Sequence, residues 1–153
     1  MTTESPERLA FEANRTALIK ILGNKALYDT TINKAGSKLF AAWGGCYSSD
    51  RVKLKPYHYY VINVDTHDKP GSHWLACYTS GKRAYVWDSY SRPIKKLAPQ
   101  LVKTIHKAKM SLGKTNRIPQ HEQIGYTSEV CGVLSLAWLL TVRDLGIALA
   151  RNI

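Results

Sequence analysis

Residues 71–90 read GSHWLACYTSGKRAYVWDSY. Two runs rich in aromatic and β-branched residues, 73–78 and 84–90, flank a Ser-Gly step, which is the pattern of a β-hairpin. A two-residue turn at Ser80-Gly81 sets His73 directly opposite Asp88. Opposed residues share a face with β-carbons about 4.5–5.5 Å apart, close enough for a carboxylate to accept the Nδ1 proton of an imidazole. A longer turn would slide the partner by two residues and keep both on one face. A histidine in an apolar strand is by itself an ordinary core residue satisfied by one hydrogen bond. An acid facing it makes it an oriented base.

Upstream, YHYYVINVD (57–65) reads as a strand closed by the turn THDKPGS, and WGGCYSSD (43–50) reads as a loop by its glycines and serines. Residues 26–45 are ambiguous, with a short helix over 34–40 as one reading. SPERLAFEANRTALIKIL (5–22) has a Ser cap, Pro in the first turn and apolar residues at helical spacing. Downstream, Ile94, Leu97, Leu101 and Ile105 give 93–109 a helical period, and Gly113 stops it. NRIPQHEQI (116–124) is a short strand or extended piece that leads through GYTSEV to the most apolar segment, 131–150. Apolar residues surround that segment instead of forming a stripe, so it is expected to be a buried central helix. The fold this order predicts is α+β: a small, mostly antiparallel central sheet packed on the helix 131–150, with helices 5–22 and 93–109 over other faces.

With 153 residues and 44% hydrophobic content, the chain is expected to form one domain over 1–153, with about the first six residues, MTTESP, disordered. Three cysteines, Cys46, Cys77 and Cys131, cannot all pair, and no basic-plus-apolar leader opens the sequence, so reduced thiols in a cytosolic or nuclear compartment are the expectation. The longest apolar run is far short of the roughly 20 residues that cross a bilayer, and no membrane association is expected. The net charge of +11 attracts polyanions. It is concentrated between Lys82 and Arg117, where Asp88 is the single acid.

Cys131 opens the apolar helix, where a helix N-terminus and a neighbouring imidazolium activate a thiol as a nucleophile. Cys46, in a Gly-rich stretch, and Cys77, in mid-strand, lack that setting and are read as structural. The backbone N–H of Cys131 supplies one donor to an oxyanion, and a side-chain amide upstream supplies a second. Gln123 is the first candidate for it and Gln120 the weaker one. A metal site built from Asp65, His67, Asp68 and His73 is the rival reading, but those residues crowd a Pro-Gly turn without a cysteine, and no metal is expected.

In this order the motifs resemble the adenovirus endoprotease (adenain) family, including the proteases of virophages and polinton-like elements, which shares a clan with the SUMO-deconjugating proteases. The resemblance spans residues 39–145 and rests on WGGCYSSD, YYVINVD, GSHW, VWDSY, a Gln and the CG that opens the last helix. It implies an adenain-like fold and a viral cysteine endopeptidase that processes capsid or core precursor proteins in the virion and the infected cell, cutting beside Gly or other small residues. Carried over by position, Cys131 is the nucleophile, His73 the general base, Asp88 the orienting acid, Gln123 the oxyanion donor, and Trp74 shapes the cleft. The order His, Asp, Gln, Cys separates the chain from papain-like enzymes, where Cys comes first.

The chemistry needs no cofactor. The resemblance extends to DNA as an activator, bound without sequence preference, and Lys95, Lys96, Lys103 and Lys107 on the basic helix are the residues expected to meet it. The family's peptide activator is held by a disulfide to a Cys ahead of the Gln. TNRIPQHEQ contains no Cys, so such an activator is not expected. A deconjugase for a ubiquitin-like modifier is the alternative with the same chemistry, and a non-catalytic basic DNA-binding protein is the alternative from another class.

Overall fold

The structure is a computed structural model and describes residues 5–115 and 130–153. Ser5 caps α1 (Pro6–Leu22), its hydroxyl accepting from the Arg8 N–H at 3.2 Å. Next come α2 (Asp29–Leu39) and β1 (Trp43–Ser48). They are followed by β2 (Tyr59–Asn63), β3 (Trp74–Thr79) and β4 (Arg83–Trp87). Two helical pieces, α3 (Ile94–Leu97) and α4 (Pro99–Lys107), lead to the two-residue β5 (Ser111–Leu112). The chain ends with α5 (Cys131–Leu145) and α6 (Ile147–Ala150).

The fold is α+β, as the sequence predicts, but its five-stranded sheet is mixed. In the order β1-β2-β3-β4-β5 the two inner pairings are antiparallel and the two outer ones parallel. The expectation of a mostly antiparallel sheet fails because WGGCYS, read as a loop, is an edge strand. Its glycines are packing devices. A β-carbon on Gly44 would lie 2.2 Å from the Tyr60 ring, and Gly45, at φ 119°, sits where the β1–β2 register shifts. At the other edge, α3 and α4 carry the chain from β4 back to a parallel β5, the crossover that parallel pairing requires.

Proline and glycine divide the two long helices read from periodicity. Ala98 precedes Pro99 and takes φ −137°, ψ 67°, because the proline ring excludes helical geometry from the residue before it. Gly146, at φ 87°, separates α5 from α6.

Helices cover both faces of the sheet. Cys46, Val61, Ala76 and Trp87 join Phe11, Val133, Leu134 and Trp138 on one side, and Ile62, Leu75, Cys77 and Val86 join Leu101 and Ile105 on the other. Every residue of α5 from Cys131 to Val142 is buried. Among the described residues no helix is long and apolar enough to cross a membrane.

Tyr60 is 1% exposed and its hydroxyl is held by the Lys55 N–H at 2.8 Å, so its ring cannot swing away from a new methyl group. Gly44→Ala is therefore expected to destabilise the protein by about 1–3 kcal/mol, the range for overpacking, read as a lower urea midpoint at unchanged slope.

Candidate active site

His73 directly precedes β3 and Asp88 directly follows β4, so the hairpin brings both to one end of the sheet. The turn lies one residue later than the sequence suggests. Ser80 N–H donates to the Arg83 carbonyl at 2.9 Å, and the ladder pairs Thr79 with Ala84 and Ala76 with Trp87. This register slides Asp88 two residues from the position opposite His73. Because a two-residue slide preserves the face, the pair still meets: His73 Nε2 donates to Asp88 Oδ1 at 2.5 Å.

The nitrogen engaged differs from the one expected. Asp88 takes Nε2 rather than Nδ1, which leaves Nδ1 as the ring nitrogen available to the neighbouring Cys131. Sγ of Cys131 further accepts the Trp74 N–H at 3.4 Å. The fold brings the three residues together because α5 packs across β3 with its N-terminus at the strand's first residue, where Gly132 lets the helix approach closely. A β-carbon there would lie 3.3 Å from the Trp74 ring. Ser135, one turn into α5, donates to the Trp74 carbonyl at 3.4 Å.

Two buried charges support one another here. Burial alone works against a charged His73, but its hydrogen bonds to Asp88 and Cys131 outweigh that and raise its pKa to about 9. Burial likewise opposes ionisation of Asp88, and donors from His73 and Arg92 overcome it, holding the pKa at about 2.

Arg92 is the functional residue that the sequence reading missed, counted there only as part of a basic run. Its backbone N–H and its Nε both donate to Asp88 Oδ2, at 3.0 and 2.9 Å, and its guanidinium lies 4.8 Å from the centre of the Tyr90 ring. A signal for it exists in DSYSR: an Asp followed four residues later by Arg across a turn, in which Ser91 takes φ 55°.

His73 and Cys131 line a cleft of about 480 Å³, with Leu27, Gly71, Trp74, Tyr90 and Arg92 also in its walls. Trp74 is fixed there by an indole N–H donated to the Leu27 carbonyl at 3.0 Å. Gly71, at φ 87°, passes so near the Asn63 amide that a β-carbon would sit 2.8 Å from it. A second hollow of about 370 Å³ continues past Trp74, Asn63 and Gly71 to Tyr47 and Asp65. The first N–H groups of α5 have no acceptor within the helix and are the oxyanion donors this end can offer.

The other expected residues fall elsewhere. Gln123 and Gln120, with the extended piece 116–124, lie outside the described residues. Lys95, Lys96, Lys103 and Lys107 are all exposed on α3 and α4, on the far side of the sheet from α5. The histidines of the rival metal reading diverge, since His67 binds Asp50 while His73 binds Asp88. Cys46 and Cys77 are buried, and burial first of all pushes both thiols up to about 12. In comparisons with known proteins, no family model and no curated sequence matches the chain.

Two measurements follow from these charges. The stability that the raised His73 contributes is complete below about pH 6.5 and is lost as pH rises through about 9. That of the depressed Asp88 is complete above about pH 4 and is lost as pH falls through about 2. Melting temperatures should therefore plateau between about pH 4 and 6.5, and Asp88→Asn should remove both flanks. Arg92→Ala should cost about 1 kcal/mol on that plateau, since the arginine is partly exposed, and progressively less toward pH 2. A constant cost down to pH 2 would show that Arg92 acts on packing instead of on the carboxylate.

Proposed function

We propose that this chain is a cysteine endopeptidase of the adenain type that processes viral capsid or core precursor proteins, with Cys131 as nucleophile, His73 as base and acid, and Asp88 as its orienting group. The observation that carries the reading is the placement of His73 between Asp88 and Cys131, with His73 and Cys131 both lining the cleft. The order of motifs along the chain supports the choice of family and of substrate.

In this mechanism Sγ of Cys131 attacks the carbonyl carbon of the scissile peptide bond, and the developing oxyanion is met by N–H groups at the start of α5. Gln123 is the proposed second donor, with Gln120 as the alternative. The proton on His73 Nδ1 passes to the departing amine as the C–N bond breaks, leaving a thioester on Cys131. Water then attacks the thioester, His73 takes one of its protons, and the C–S bond breaks to release the carboxylic acid and return Cys131 as a thiolate beside the imidazolium. Throughout, Asp88 keeps the Nε2 proton and holds the ring in register. Trp74 and Gly71 make the walls close, which favours substrates with glycine or another small residue at the scissile bond.

The decisive experiment uses a Gly-Gly peptide ending in a vinyl methyl ester. It should label Cys131 alone, by mass spectrometry, and Cys131→Ala should abolish both labelling and peptide cleavage while keeping the native circular dichroism. Cleavage should decline as pH rises through about 9, because the His73 proton needed by the leaving group is lost there. Gln123→Ala should cost roughly 10²–10³ in rate, the loss of one oxyanion donor. Labelling first at Cys46, or turnover surviving in Cys131→Ala, would overturn the proposal.

For DNA as activator, the exposed Lys95, Lys96, Lys103 and Lys107 are the proposed contacts. Neutralising about five phosphates gives a log–log salt slope near −4.5. Replacing all four lysines with Glu should flatten that slope and leave cleavage of a short free peptide unchanged. Equal duplex affinity in the two proteins would remove DNA from this face.

A further inference from the structure

A second recess, separate from the triad, lies beside β1. It encloses about 380 Å³, and Arg51, Lys53, Lys55 and His58 line it together with Tyr47 and Tyr60, with no acid among the described residues of its wall. Among the described residues, none of the three long cationic side chains forms an ion pair. The neighbouring acid, Asp50, is committed to His67.

The charges are presented on a fixed backbone. From Arg51 to Lys55 the residues alternate outward and inward: Arg51, Lys53 and Lys55 are exposed, whereas Val52 is buried and Leu54 packs against the core. Both ends of the Lys53–Lys55 backbone are tied down. The Lys55 N–H donates to the Tyr60 hydroxyl at 2.8 Å, that hydroxyl donates to the Lys53 carbonyl at 3.4 Å, and Thr79 Oγ1 donates to the Lys55 carbonyl at 2.5 Å. Side chains on one face of an extended peptide repeat about every 6.6 Å, and Arg51, Lys53 and Lys55 present the same every-other-residue alternation.

Tyr47, which is 42% exposed, lines both this recess and the hollow that continues from the catalytic cleft. The cleft, the hollow and the recess thus share wall residues in turn, Trp74 between the first two and Tyr47 between the last two. We infer that the recess is an exosite for an acidic segment of the polypeptide substrate, one carrying Asp or Glu at alternate positions, bound in extended form at a distance from the scissile bond. The inference rests on the endopeptidase reading for the word substrate. Binding of an acidic peptide to the recess is separable from cleavage.

The test is fluorescence anisotropy at low salt with a labelled peptide, Gly-Glu-Gly-Glu-Gly-Glu-Gly, and the full chain bearing Cys131→Ala. The triple variant Arg51→Ala, Lys53→Ala, Lys55→Ala should weaken binding at least tenfold. A charge-matched control, Lys95→Ala, Lys96→Ala, Lys103→Ala, should change it less than twofold. Lys53→Ala alone, which removes one exposed side chain, should weaken it about threefold and guards against misfolding of the triple variant. Loss of equal size in the control would show a response to net charge and overturn the site. Tighter, recess-dependent binding of a short oligothymidylate of equal charge would assign the recess to nucleic acid and overturn the acidic-peptide inference. If the peptide binds as expected while the vinyl ester leaves Cys131 unlabelled, the recess stands and the endopeptidase reading falls.

Discussion

The structure is organised around one demand: α5 is apolar on every side and has to be enclosed. The sheet covers it on one side and α1 on another, with Phe11, Trp87 and Trp138 in the contact. Enclosure by itself fixes only the axis of a helix. What fixes its position along that axis is the close contact of Gly132 with Trp74 and the bond from Ser135 to the Trp74 carbonyl. Together these hold Cys131 beside the first residue of β3. Core packing and the placement of the thiol are thus one constraint, because the helix that must be buried carries Cys131 at its N-terminus, where it lines the cleft.

The same economy operates in the charges. A carboxylate as buried as Asp88, whose side chain is 1% exposed, is tolerated only if its oxygens are filled by donors. Arg92 fills Oδ2 from two directions, which leaves Oδ1 for His73. Because three bonds come from a residue four positions away in the same turn, with Arg92 Nη2 also reaching Oδ1 at 3.4 Å, the acid is positioned locally before the histidine is engaged. The imidazole then inherits an orientation that the turn has already set.

Much of this was legible in the sequence, for identifiable reasons. The pairing of His73 with Asp88 was legible because strand periodicity conserves faces, so that sliding the hairpin by two residues leaves it intact, and Cys131 was legible as the residue that opens the apolar helix. The choice between Nδ1 and Nε2 was not legible, since it depends on the approach of α5 from the other side of the ring. β1 was missed because Gly44 and Gly45, normally loop signals, serve there to admit Tyr60 and a register shift. Two long helices were each read as one piece because apolar spacing continues through Ala98 and Gly146, whereas the backbone does not. Arg92 was hidden by its membership in a run of cations whose other described members face water.

The three thiols have a chemical consequence outside catalysis. Cys46 and Cys77 are buried and stay protonated far above neutral pH, so neither offers a thiolate to a neighbour. Should peroxide convert Cys131 to a sulfenic acid, no second cysteine of the chain is prepared to capture it as an internal disulfide. Recovery would fall to small thiols diffusing into the cleft, in competition with further oxidation to the irreversible sulfinic acid. With Cys131 in the proposed role of nucleophile, activity would then depend on the reducing capacity of the surroundings.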